Sequence, residues 1–489
     1  MNLRCAAWTQ RGVRSPLAER TPAVPSQPWG WGAVVTGMSP TSRSAALIGS
    51  CAAALVVASP AAAAWTAPQE LPNTAGRDPV FAAYGAGGLA TIGMYGPLGL
   101  VPGTPQTPLA ISSVGAGAGA VSPAPSALRD GLGAPIAVSP NGTMLAVGGP
   151  RSPLDYFGLE SARSRLRAAI GPAGGALRRI PTGRIVGTAT LATAVNDRGD
   201  AAVVFSRCLT TSCSRRSILA TFRRRGRSFT KPVVLAKRTG RPAAAVALNA
   251  RGDAIVAWAQ PRANGRRDDV RTRLRRASGA LTRTRVAGPT LPVPTIAVTL
   301  SRGRAGAVAW FSQYPRGGPL TVSRSTVGSR GTIGSRVVLD SATTPRGVRG
   351  PRLRAILGAG GVTTLAWTGF VNGRHVVRGA LARRGVAGIE TISPAGSDAQ
   401  LMDLSGNPRG DALVVWATLP GAPLRGVAAV IHRRGAVTFD APRLVLAGAD
   451  ASGSAAGAIA SDGRAIVAGG AARAAGPNAP PVRVAQMTG

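Results

Sequence analysis

One stretch constrains this chain more than any other: Leu248-Asn249-Ala250-Arg251-Gly252-Asp253-Ala254-Ile255-Val256-Ala257-Trp258. It reads as a strand end, a tight polar turn and a second strand that closes on an aromatic. Versions of it recur down the chain. The clearest run from Val195 to Phe205, Leu300 to Trp310, Leu357 to Trp367 and Leu404 to Trp416, and weaker ones begin at Tyr84, Val138 and Ile459. Their turn glycines, at 88, 142, 199, 252, 303, 361, 410 and 463, lie 49 to 58 residues apart. A length of 489 residues alone would suggest about three domains. A repeat of this period overrides that expectation and points to a solenoid or a propeller.

Residues 243–286 show the layout of one unit. Residues 243–248 read as a first strand, 249–253 as the turn and 254–258 as a second strand, apolar on both faces. A polar loop covers 260–269. Residues 270–275 alternate apolar with basic, the period-two mark of a strand with one wet face. A turn at 277–279 leads to a fourth strand over 281–286. Glycine takes positive φ without steric cost, and a neighbouring Asn or Asp bonds its own backbone. The aromatic six residues past each turn glycine is expected to plug the gap between units. In the fifth unit the spacing is seven, which predicts one extra residue in that turn. Gly148, Gly469 and Met94 stand in the aromatic's place in units two, eight and one, which predicts looser packing there.

The predicted fold is therefore all-β: a β-propeller of about eight four-stranded blades, with seven as the other count. The expected blades are 74–128, 129–187, 188–239, 240–288, 289–341, 342–395, 396–448 and 449–489. Several fourth strands begin alike, at Phe229-Thr-Lys-Pro and Phe439-Asp-Ala-Pro, and Trp65-Thr-Ala-Pro reads as another with no third strand before it. The last unit has three strands and then stops. Residues 65–73 are thus expected to supply the outer strand of the last blade, which closes the ring and removes a sheet edge.

On this layout the chain resembles a secreted bacterial β-propeller repeat protein of the WD40-like or kelch-like kind over about residues 65–489. It matches no specific family: it lacks the Gly-His and Trp-Asp pair, a kelch double glycine followed by spaced Tyr and Trp, and the Ser-x-Asp-x-Gly-x-x-Trp box. The resemblance implies a fold and passes on no site residues.

The first 64 residues read as address. A positive region at 38–43, an apolar run at 45–58 and small residues at 61–64 form the three-part pattern of a secretory signal peptide. Residues 1–37 read as a disordered extension or a mis-called start, and lipid attachment at Cys51 fits poorly because too much apolar sequence follows it. Cleavage after Ala64 leaves a single propeller domain, 65–489, with no transmembrane anchor, secreted or associated with the cell envelope. Of the four cysteines, Cys208 and Cys213 would remain, and at that spacing in an exported chain they read as a local disulfide. A C-x4-C pair without nearby His is a poor zinc site. Neither a metal nor another cofactor is expected.

Lys and Arg total 58 against 19 Asp and Glu, a net charge of +39. All but Lys231 and Lys237 are Arg. Such a balance favours anionic partners through the summed field. The most basic unit is the fourth, where Arg266, Arg267, Arg271, Arg273 and Arg275 form a candidate anion-binding row. Stacking aromatics are absent from that row, which argues against specific nucleic-acid binding. In a propeller the turns between strands one and two share a face with those between three and four. On that face lie Asp200, Asp253 and Asp411, each closing an Arg-Gly-Asp, and the hairpins Arg224-Arg225-Gly226, Arg383-Arg384-Gly385 and Arg433-Arg434-Gly435. They are expected to form a solvated rim with weak ion pairs, and the repeat turn accounts for Arg-Gly-Asp without an adhesion role. The opposite face carries the longer loops, with Asp155, Tyr156, Glu160, Tyr314 and His375 as candidate ligand residues at the channel mouth. His432 is expected to be exposed at a hairpin tip. No Ser/His/Asp set, metal cluster or phosphate cradle stands out. The reading is a monomeric, exported, non-enzymatic scaffold that binds a protein or an anionic envelope polymer. The alternative is a glycan hydrolase or lyase with its site on the long-loop face.

Overall fold

The computed structural model describes residues 64–488 apart from 76, 86–87, 96–109, 115–120, 124–135, 149–164, 174, 183–184, 187–188, 211–213, 240–241, 263–266, 292–293, 314–317, 345–351, 383–387, 419–424, 449–453 and 471–479. The signal-peptide segment, Asp155, Tyr156, Glu160, Cys213, Arg266 and Tyr314 lie outside the described residues. Eight four-stranded antiparallel sheets form a β-propeller. In chain order their strands fall within 78–123, 136–180, 189–239, 244–290, 295–344, 353–391, 399–447 and 455–487, here blades 1 to 8. Blade 8 takes its outer strand, Gln69–Glu70, from the start of the propeller. Gln69 pairs with Val484 and Glu70 with Arg483, and Trp65 bridges Met487. The ring closes as the repeat predicts.

The core is divided into eight clusters, one at each junction between neighbouring blades. The second strands of blades 2 to 8 each contribute to two of them, which is why their residues are apolar on both faces. In blade 4, Ala254–Pro261 sends Val256 and Trp258 towards blade 3 and Ile255 and Ala257 towards blade 5. Phe205, Trp258, Trp310, Trp367 and Trp416 are each at most 1% exposed and fill five successive equivalent junctions. Met94 is just as buried, and at Gly469 an added Cβ would meet Leu446 Cδ1 at 2.8 Å and Val427 Cγ2 at 3.0 Å. Blades 1 and 8 are therefore not loosely packed at these positions; in blade 8 the neighbour's side chains occupy the space.

Two expectations about strands need correcting. The turn of blade 5 has no extra residue. Arg304, at φ +67°, occupies the place that glycine takes elsewhere, and its N–H bonds the Ser301 carbonyl as the Gly252 N–H bonds that of Asn249. Counted from Arg304, Trp310 sits at the usual distance. The fourth strands also start later than read: Val233–Thr239, Arg285–Thr290 and Arg443–Ala447. The segment before each is a stub held to the third strand. The N–H groups of Thr66, Thr230 and Thr282 donate to the carbonyls of Gln486, Phe222 and Leu274, and their hydroxyls accept the N–H of the same three residues.

Candidate functional site

The turns of the glycine face are tied by a buried Asn–Asp unit. In blade 4, Asn249 Oδ1 accepts the N–H groups of Arg251 and Asp253, each at 3.0 Å, and so closes its own turn. Its Nδ2 donates to Asp253 Oδ2 at 3.1 Å and across the junction to the Ser301 carbonyl of blade 5 at 2.9 Å. Asp253 Oδ1 accepts the Ala277 N–H of the neighbouring hairpin, and Oδ2 meets Arg304 Nε at 3.1 Å. Asn196 and Asp200 repeat this from blade 3 to Asn249, as do Asn407 and Asp411 from blade 7 to Ala460. Asp200, Asp253 and Asp411 are buried. They are not a solvated rim, and a buried carboxylate offers nothing to an adhesion receptor. Burial pushes the Asp253 carboxyl up, but the Ala277 N–H, the Asn249 amide and the Arg304 guanidinium outweigh it and hold it below the usual carboxylate range.

With these carboxylates turned inward, the cations dominate what the face presents. Between blades 2 and 3 it opens into a cleft of about 470 Å³. Arg178, Arg198, Arg223 and Arg225 line it, with Asp197 as the one carboxylate. Arg223 ends the third strand Arg216–Arg223 and is 6% exposed. Its Nη1 donates to the Gly199 carbonyl at 2.6 Å, while its Nε has no partner. Burial pushes the Arg223 guanidinium down, and the like charge of Arg178 adds to that against the pull of Asp200.

The row in blade 4 keeps its common direction but is largely engaged. Arg271, Arg273 and Arg275 stand opposite Trp258, Val256 and Ala254 and so face blade 3. Arg275 is buried with its guanidinium 4.5 Å from the centre of the Phe222 ring, and burial pushes its pKa down. Arg273 Nε donates to the Thr282 carbonyl at 2.9 Å, and Arg271 Nη2 lies 3.7 Å from Asp269. Arg267 is exposed.

On the long-loop face, Phe370 to His375 is not a loop. Thr363–Val371 and Arg374–Ala382 join through Asn372 and Gly373, both at positive φ, in a tight hairpin turn. His375 Nδ1 and its backbone N–H both meet Asp398 Oδ1 at 2.9 Å, and its ring packs edge-on against Phe370. His432 is buried, with Nε2 at 2.9 Å from the Ala436 carbonyl and its ring against Phe439. Asp269 is held by Arg262, and Asp340 by Trp367 Nε1 and Arg378. In the first strand of blade 7, burial pushes the Asp403 carboxyl up against the pull of Arg354, the N–H groups of Gly457 and Leu404, and Arg352. Among the described residues no group of three or more His, Cys, Asp or Glu is placed to hold a metal. None of their helices is long and apolar enough to cross a membrane.

Sequence reasoning missed the cross-blade reach of the Asn side chains and the cleft at Arg178 and Arg223. The signal for the cleft was the run Arg223-Arg224-Arg225-Gly226, where the first Arg still belongs to the strand and the others to the turn.

No protein-family model and no curated protein matches the sequence. Several solved structures are similar. An ulvan lyase of polysaccharide lyase family 25 has 11% identity and a TM-score of 0.45, covering 85% of this chain and 95% of its own. A puromycin hydrolase has 18% identity and a TM-score of 0.41, covering 83% of this chain and 60% of its own. A protein of unknown function from Dyadobacter fermentans has 10% identity and a TM-score of 0.37, covering 61% and 93%. Likenesses this distant carry no argument about substrate or partner.

Proposed function

We propose that this chain is an exported, monomeric, non-enzymatic propeller that binds an anionic polymer of the cell envelope. The observation that carries the reading is how its charges are divided. Lys and Arg exceed Asp and Glu by 39. Asp200, Asp253, Asp269, Asp340 and Asp411 are all committed to internal bonds. Exposed arginines such as Arg178, Arg225 and Arg267 are left to set the field outside. Hydrolysis of a glycan by the common two-carboxylate route would call for two carboxyl groups free to act together on one bond. Asp269, Asp340 and Asp398 are each already paired with Arg or His.

Export rests on the three-part pattern at 38–64 and, in this reading, on a disulfide at Cys208, which ends strand Ala201–Cys208. We propose Cys213 as its partner; the Leu209 N–H to Arg215 carbonyl bond at 2.8 Å brings that short hairpin together.

Retention on immobilised polyphosphate tests the reading. Binding is expected at low salt and should fall by about an order of magnitude or more between 50 and 200 mM salt, as phosphate contacts release counterions. No binding at low salt would overturn it, and binding indifferent to salt would point to a protein partner instead.

A further inference from the structure

The cleft between blades 2 and 3 supports a more specific assignment, which rests on the polymer-binding reading above. Four turns build it, two from each blade, so its walls come from separately anchored backbone. Gly142 and Gly199, both at positive φ, are two of the turn residues that line it. Arg178 and Arg225 are exposed, and neither side chain has an acidic partner among the described residues. Arg198 is 61% exposed at 3.8 Å from Asp200. The one carboxylate in the lining, Asp197, already accepts the Asn141 N–H at 2.9 Å.

Arg223 is the informative group. More than nine-tenths of it is buried, one nitrogen is fixed on Gly199, and its Nε–H has no acceptor. Leaving a buried, charged donor unsatisfied is costly. The like charge of Arg178, which lines the same cleft, adds repulsion. An oxyanion between the two would remove both costs. Arg271 and Arg378 also have an Nε without a partner, but neither lines the cleft.

We propose that this cleft is the subsite where the polymer docks, taking one tetrahedral oxyanion, a phosphate or sulfate ester, between Arg178 and Arg223. Arg198 and Arg225 stand at the rim. A tetrahedral anion presents oxygens in several directions, which suits guanidinium groups arriving from separate turns. The volume matches a sugar-phosphate-sized unit, within the usual range of about 300–1,000 Å³ for small-ligand sites.

Calorimetric titration of the whole chain with inorganic pyrophosphate, polyphosphate and dextran sulfate tests this. The variants are Arg178→Gln, Arg225→Gln and, as a control with the same charge change on the blade 5 turn, Arg330→Gln. All three sites are exposed, so unchanged unfolding midpoints verify the fold. Arg178→Gln should weaken pyrophosphate about tenfold or more, Arg225→Gln less, and Arg330→Gln less than about twofold. The two polymers decide which ester is preferred. Equal weakening by Arg178→Gln and Arg330→Gln would overturn the cleft and leave general polyanion binding intact. Polymer binding with no pyrophosphate binding would also overturn the cleft. Failure of the unaltered chain to bind any of the three would overturn the polymer-binding reading itself.

Discussion

Asn249 shows how one turn side chain holds two blades. It satisfies two N–H groups in its own turn and a carbonyl in the next blade, from a buried position. Asn249→Ala is expected to lose about 2 kcal/mol, because the buried groups it serves are left unpaired. Asn141→Ala, at an exposed position in the equivalent turn, should be near neutral. Denaturant midpoints of both variants check the contrast. Arg304 is a different compromise. An L-residue in the left-handed region costs about 1–2 kcal/mol, and Arg304 is held there at φ +67° while its guanidinium pairs with Asp253. Arg304→Ala keeps the strain and loses the pair; Arg304→Gly loses the pair but relieves the strain. The alanine variant should therefore be the less stable by about 1 kcal/mol. Asp253 also sets an acid limit. Its folded pKa is depressed, so its contribution is present above the ordinary carboxylate range and is lost as pH falls through the lowered value. Asp253→Asn should flatten that acid-side loss while lowering stability at neutral pH.

At the scale of elements, the second strand of each blade was the most legible part of the sequence. It is covered on both faces, so Ala254 to Trp258 needed no alternation to be recognised, and its closing aromatic falls into the junction with the preceding blade. Trp416→Ala should cost about 3–5 kcal/mol, read as a lower thermal midpoint, since Trp416 is fully buried between blades 6 and 7. The outer strands were less legible. Leu281 and Thr282 look like strand residues in composition, yet they form a bridge and a hydroxyl-capped stub before the ladder begins at Arg285. A local pattern does not separate the two. The Arg row at 271–275 was legible as a row but not as an engaged one, because its partner, Phe222, lies 53 residues before Arg275 on another blade. The cleft at Arg178 and Arg223 was illegible for the same reason: it is assembled from four turns distant in sequence. Arg285, Arg443 and Lys237 are exposed on outer strands, where charge discourages edge-to-edge pairing.

Across the whole molecule, eight junctions each hold a small core, and the ring stands or falls on the one between the ends. Leu71 packs with Ile92 and Met94 of blade 1 and with Val482 and Val484 of blade 8. Arg464 of blade 8 lies over the Tyr84 ring of blade 1, 5.7 Å from its centre, and reaches the Gly88 carbonyl at 3.3 Å. Burial raises the Tyr84 hydroxyl to about 12, against the opposing pull of Arg464 and with a small push from Asp462. The folded state therefore holds this proton more tightly than the unfolded chain, and stability should fall as pH rises from about 10 towards that value. Ultraviolet titration should find a late tyrosine that Tyr84→Phe removes. The closure itself is tested most directly by hydrogen exchange on the intact protein. Leu71 donates to the Val482 carbonyl at 2.8 Å and Thr66 to that of Gln486 at 2.7 Å. Residues 65–71 should thus exchange as slowly as another outer strand, Val233–Thr239. Exchange of 65–71 at the rate of an unstructured peptide, beside a protected Arg483–Met487, would contradict the closed wheel.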